Sequence, residues 1–213
     1  MPLNDPRERI KLIHKEEERK GILSLLDIIE GSFGLDYIVS HGTVIELRMV
    51  SCGLVSIPRS LGLFPNLSKI QLQENKIRHI KNLAFCGQLQ ILNLANNEIK
   101  TDEIRYLENL QYLRTLDLSF NQIEDLAPFN KLKELQILNL SENEITTIPQ
   151  LNALSRLKTL DLTGNPIQKI ENIHVLERLT ELKLTPNLLP EEEQRVLNRN
   201  IESIKEYCRI MKK

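Results

Sequence analysis

One nine-residue frame, Leu-x-x-Leu-x-Leu-x-x-Asn, recurs seven times between residues 44 and 187, and it restricts the fold more than any other feature. The frame opens at Val44, Leu67, Leu89, Leu113, Leu135, Leu157 and Leu179, at spacings of 23, 22, 24, 22, 22 and 22 residues. Its ninth place holds Cys52, Asn75, Asn97, Asn121, Asn143, Asn165 and Asn187. A fixed period of this size predicts units that stack, because a single unit cannot bury its leucine row alone. Within the frame, alternating leucines predict a short strand with one face inward. Between frames an apolar residue falls at every third place, as in Ile123, Leu126, Phe129 and Leu132. Cys86 stands where this register expects leucine and reads as a small buried hydrophobe.

The asparagine is the frame's one polar requirement. A coil that turns sharply after its strand leaves main-chain donors and acceptors inside, away from water. A short amide supplies both kinds of partner at once. The asparagines are therefore expected to form a ladder, with Cys52 as a weaker donor at its first rung.

The frame, its period and its Asn-x-Ile-x-x-Ile continuation resemble the leucine-rich repeat superfamily over about residues 44 to 189. They are most similar to the class found in cytosolic protein-phosphatase regulators. That resemblance implies an α/β solenoid with a parallel concave sheet and a non-enzymatic, protein-binding role. It names two partner classes, a phosphatase catalytic subunit and a small GTPase. The tail "NLLPEEEQRVL...IESIKEYC" resembles the segment that closes many prokaryotic and archaeal leucine-rich repeat proteins.

A solenoid has two raw ends that need covering. Residues 1–43 are expected to form a helical and hairpin cap, 44–189 the seven repeats, and 190–213 a C-terminal capping helix. Ile22, Leu25, Leu26 and Ile29 share one helical face, and His41-Gly42 suits a two-residue hairpin turn. In the tail, Pro190 and three glutamates suit a helix start, with Leu197, Ile201, Ile204 and Cys208 as the apolar stripe. The segment "KTDEIRYLENLQYL" is two residues longer than its neighbours and predicts a longer helical turn on the convex side.

Chemistry is sparse. The net charge of −1 gives no electrostatic case for nucleic acid or an anionic membrane. No apolar run reaches the ~20 residues of a membrane span. Three widely spaced cysteines suggest reduced thiols and a cytoplasmic protein. The histidines His14, His41, His79 and His174 lack metal-ligand spacing, and no glycine-rich phosphate loop occurs. The glutamate runs 16–18 and 191–193 read as solvated helix faces. No cofactor, metal or catalytic residue is expected.

What remains is the concave surface. Phe120 is the one aromatic placed there, with Ile91 and Ile137 as apolar neighbours. Phe120, Asp117, Ile137, Asn139, Glu142 and Asp161 come from three consecutive units and form the expected partner-binding patch on a monomeric scaffold. The alternative is a structural or self-associating solenoid whose concave face holds nothing.

Overall fold

The computed structural model describes residues 6–29, 34–185 and 188–211. Eight strands form one sheet in sequence order, β1 to β8. β1 (Leu35–Ser40) runs antiparallel to β2 (Thr43–Met49). His41 and Gly42 join them with φ of 48° and 73°. Positive φ at both turn residues matches the right-handed twist of the flanking strands, which is the expected hairpin.

From β2 onward every neighbour is parallel and in register. β3 (Lys69–Gln71), β4 (Ile91–Asn93), β5 (Thr115–Asp117), β6 (Ile137–Asn139), β7 (Thr159–Asp161) and β8 (Glu181–Lys183) are three residues each. Leu47, Ile70, Leu92, Leu116, Leu138, Leu160 and Leu182 pair across the whole array. Their side chains line the inner face, while the flanking strand residues look outward. The opposite wall is built from short 3₁₀ turns that carry the threefold apolar register inward. Four of them, such as Lys81–Phe85 and Ala127–Lys131, span three or five residues. The turn in the longer unit, Thr101–Leu107, spans seven.

The asparagine ladder ties each coil to the one before it. Asn121 Nδ2 donates to the carbonyl of Leu94 in the preceding unit (3.0 Å), and to Leu118 (3.0 Å) and Ser119 (3.1 Å) in its own. Its Oδ1 accepts the N–H of Ile99 from the preceding unit at 3.0 Å. Asn97, Asn143 and Asn165 repeat this pattern. Asn75 accepts from Leu54 and also from Cys52. Cys52 Sγ donates to Val50 O at 3.4 Å, the weak first rung. Asn187 lies outside the described residues.

At the N-terminal end, α1 (Pro6–Arg9) and a 3₁₀ turn lead to α2 (Glu16–Ile28). Ile22, Leu25, Leu26 and Ile29 are all buried, as the helical stripe requires. The C-terminal tail forms two helices rather than the expected single one. α3 (Glu191–Leu197) ends before α4 (Ile201–Met211). Asn200 is the cause, since its Oδ1 accepts the N–H of Ser203 at 2.9 Å and starts a new helix there. Ile204 and Cys208 are buried, whereas Leu197 and Ile201 are only half covered.

The glutamate runs are not wholly solvated. Glu18 and Glu193 are 1% and 6% exposed, and Glu103 is similarly buried. Each accepts a main-chain N–H: Val44 to Glu18 at 2.7 Å, Ile80 to Glu103 at 2.8 Å and Ile170 to Glu193 at 2.5 Å. Ile57, Ile80 and Ile170 hold the same place in their units. Ile57 finds its acceptor in the next unit's backbone, His79 O at 3.1 Å. At Ile80 and Ile170 a carboxylate accepts instead.

Two stability changes follow. Asn143→Ala orphans buried main-chain groups and should lower stability by about 1–3 kcal/mol in urea melts. Lys158→Ala, on an exposed strand-flanking side chain, should stay within about 0.5 kcal/mol. Equal midpoints would mean the ladder contributes nothing. Glu193→Ala should likewise cost about 1–3 kcal/mol, against no measurable change for exposed Glu192→Ala. The reverse order would place the tail's contribution elsewhere.

Candidate functional site

The outward strand positions build the concave surface in columns. In β4 to β7 the first column reads Ile91, Thr115, Ile137, Thr159 and the second Asn93, Asp117, Asn139, Asp161. Register puts each residue beside its counterpart on the next strand.

The second column is tied down by its own backbone. Asp117 Oδ1 accepts the N–H and hydroxyl of Ser119 at 2.9 and 2.7 Å, and Oδ2 accepts from Asn139 Nδ2 at 3.2 Å. Asn139 Oδ1 accepts from the Ser141 N–H (3.1 Å) and hydroxyl (2.8 Å). Asn93 and Asp161 make the same turn to Ala95 and Thr163. These residues therefore end each strand with a side-chain turn. Sequence reasoning placed them on the surface but missed this second duty. Asp161 also faces Lys183 at 3.5 Å, and the carboxylates of Asp161 and Glu181 raise the Lys183 pKa. Among the described residues no cation pairs with Asp117 or Glu142.

The residue before each ladder position has left-handed backbone. Ser51, Glu74, Asn96, Phe120, Glu142 and Gly164 have φ between 53° and 70°. This reversal swings the following asparagine inward. The N–H of Phe120 donates to Ser141 O at 2.9 Å, and that of Glu142 to Thr163 O at 2.7 Å, so the turn still joins coil to coil. Glycine or asparagine tolerates such backbone, while a bulky side chain is strained there by about 1–2 kcal/mol. Phe120 carries that strain and is 57% exposed. The Glu142 carboxylate lies over Gly164, where an added Cβ would meet its Oε1 at 2.4 Å. Phe120, Ile137 and Ile91 are the exposed large apolar residues of these middle strands, at 57%, 43% and 38%.

A separate cleft of about 440 Å³ opens on the far side of the coil, beside the lengthened unit. It is lined by Arg78, His79, Glu98, Lys100, Asp102, Glu103 and Gln122. Within it Arg78 pairs with Glu98 at 2.6 Å, and His79 lies 3.4 Å from Glu103. No serine, threonine, tyrosine or cysteine is among these lining residues. Among the described residues no group of three His, Cys, Asp or Glu side chains is placed to hold a metal ion.

The thiols are also accounted for. Cys52, Cys86 and Cys208 are free, and burial pushes the Cys86 thiol up to about 12. Burial also raises the pKa values of Cys52 and Cys208. At pH 8, iodoacetamide should label half-exposed Cys52 before buried Cys86, and all three equally once urea has unfolded the chain. Faster labelling of Cys86 would contradict its place in the core.

Residues 65–123 and 113–167 match the leucine rich repeat family model. The leucine-rich repeat serine/threonine-protein kinase 1 of Caenorhabditis elegans is 34% identical over 79 residues, which is 36% of this chain and 3% of the kinase. The matched stretch is thus a small part of that relative. A crystal structure of an internalin from Listeria monocytogenes superimposes with a TM-score of 0.59 at 31% identity, covering 64% of this chain and 40% of the internalin. A second Listeria monocytogenes internalin, at 24% identity, TM-score 0.54 and coverage of 70% and 74%, shares the fold. With the stacked parallel strands, these matches show that the fold is a leucine-rich repeat solenoid. Among the described residues no helix is long and apolar enough to cross a membrane.

Proposed function

We propose that this protein is a non-enzymatic scaffold that holds a protein partner against its concave sheet, with Phe120 as the anchor. The observation that carries the reading is the backbone of Phe120. An aromatic side chain stands in a conformation that disfavours it, and more than half of its surface faces solvent. The positive φ is shared by every described unit, so what is particular to this one is a bulky aromatic kept there with little burial to compensate the strain. An exposed aromatic flanked by Ile137 and ringed by Asp117, Asn139, Glu142 and Asp161 has the anatomy of a binding anchor inside a polar rim.

The repeat class names a phosphatase catalytic subunit and a small GTPase as the first partners to try. A cytoplasmic setting fits the three free thiols. The second reading, a self-associating solenoid, is favoured by one observation: Leu188, Ile210 and Met211 expose 64%, 59% and 53% of their surface at the C-terminal end. Concentration-dependent mass in light scattering that survives Phe120 substitution would favour that reading.

The test is Phe120→Asn. Relief of about 1 kcal/mol of strain offsets about 1 kcal/mol of lost partial burial, so melting should not change. Affinity for a partner purified from the native host should fall about thirtyfold or more, the loss expected at an anchor. Arg105→Glu, on the exposed turn Thr101–Leu107, should bind normally. Normal binding by the Phe120 variant, with loss in the Arg105 variant, would move the site to the convex side.

A further inference from the structure

The concave surface alternates with a period of two strands. Ile91 and Ile137 stand on β4 and β6, and threonines occupy the same place on β5 and β7. In the next column Asp117 and Asp161 stand on β5 and β7, with asparagines on β4 and β6. Apolar and acidic rungs thus interleave across four strands. Folding alone would not require the order in the second column. Asn93 and Asn139 make the same strand-ending turns as Asp117 and Asp161.

The repeat distance points to a conformation for what lies across it. Adjacent strands are about 4.8 Å apart, so like rungs are about 9.6 Å apart, and a concave surface brings side-chain tips slightly closer than that. A β-strand returns to the same face every two residues, about 6.8 Å, which does not match. An α-helix crossing the strands returns after seven residues, about 10.5 Å, which is too long for a surface that narrows. A polyproline II segment returns every three residues, about 9.3 Å, which fits. Its backbone groups stay hydrated, so it needs no hydrogen bond from strands already paired with each other.

Charge completes the description. Glu142 is exposed and Asp117 half-buried on this face, and neither has a cationic partner among the described residues, whereas Asp161 already has Lys183. A basic side chain set between two apolar contacts would find the exposed Glu142 carboxylate and the edge of Asp117. Resting on the concave-face reading above, we propose that the partner presents a polyproline II segment with an apolar residue at every third position and lysine or arginine between them. The apolar residues seat on Ile91 and Ile137 against Phe120, and the basic ones reach Asp117 and Glu142. Geometry sets the period and the unpaired carboxylates set the sign of the charge.

The test uses labelled twelve-residue peptides in fluorescence anisotropy with the full chain: Leu-Pro-Lys repeated four times, the same residues shuffled, Leu-Pro-Glu repeats, and a helical peptide with leucines seven apart among lysines. The Leu-Pro-Lys repeat should bind at least about tenfold tighter than the other three. Ile137→Thr and Asp117→Asn borrow residues that neighbouring strands already carry at those places, so they erase the alternation and keep the strand-ending turns, at the loss of the Asn139 Nδ2 to Asp117 Oδ2 bond. Each should weaken that binding several-fold, and Asp117→Asn with Glu142→Gln about tenfold, while Arg105→Glu leaves it unchanged. Equal binding of the shuffled peptide, tighter binding of the acidic or helical one, or no saturable binding overturns the inference. If native-partner binding still falls with Phe120→Asn, that failure leaves the concave-face reading standing. If Arg105→Glu alone abolishes both, the two fall together.

Discussion

A single buried amide per coil holds this molecule together along its length. In each regular unit the asparagine receives one N–H from the preceding coil and returns two hydrogens to three carbonyls, one of which also belongs to that coil. The inward leucines would stack without it, since burial is indifferent to direction. What they would not do is keep a common register, because apolar contacts tolerate sliding and hydrogen bonds do not. Together with the backbone bonds between strands, the amide turns a stack of greasy coils into an ordered sheet in which Leu92, Leu116, Leu138 and Leu160 stand side by side.

The left-handed turn is a consequence. For the asparagine to point inward directly after an outward strand, the residue before it must reverse the chain, and every described unit does so with positive φ. That place is costly for any large side chain. Glu74, Glu142 and above all Phe120 occupy it nonetheless, on the surface where a partner would lie. Structure and proposed function thus meet at one position. At both ends and beside the longer unit, Glu18, Glu103 and Glu193 supply buried acceptors for the main-chain N–H groups of Val44, Ile80 and Ile170.

Much of this was legible in the residues. The period, the inward leucines, the ladder, the hairpin at His41-Gly42 and the longer turn after Lys100 all follow from spacing, because a stacked array repeats its physics as it repeats its sequence. What could not be read depends on neighbours distant in the chain. Glu193 looks like any helix-start glutamate until α3 is folded against Ile170. Asp117, Asn139 and Asp161 were placed on the concave face, yet their bonds to residues two positions on need the strand to end where it does. Glycine at 164 and asparagine at 96 were a signal for left-handed backbone in that column, though Phe120 and the glutamates there obscured it. The break at Asn200 carried its own signal, an asparagine three residues before a serine inside an apolar stripe.

The claim that the amide ladder sets the register is open to direct measurement by native-state hydrogen exchange. The amides of Ile99, Ile123 and Ile145 donate to the side chains of Asn121, Asn143 and Asn165 at 2.9–3.0 Å, not to any backbone carbonyl. If the ladder is what couples the coils, these amides should be as protected as the strand amides of Leu116 and Leu138 and exchange only when the array opens. Exchange at the rate of surface loops, with the strands still protected, would show that the sheet holds its register without the asparagines.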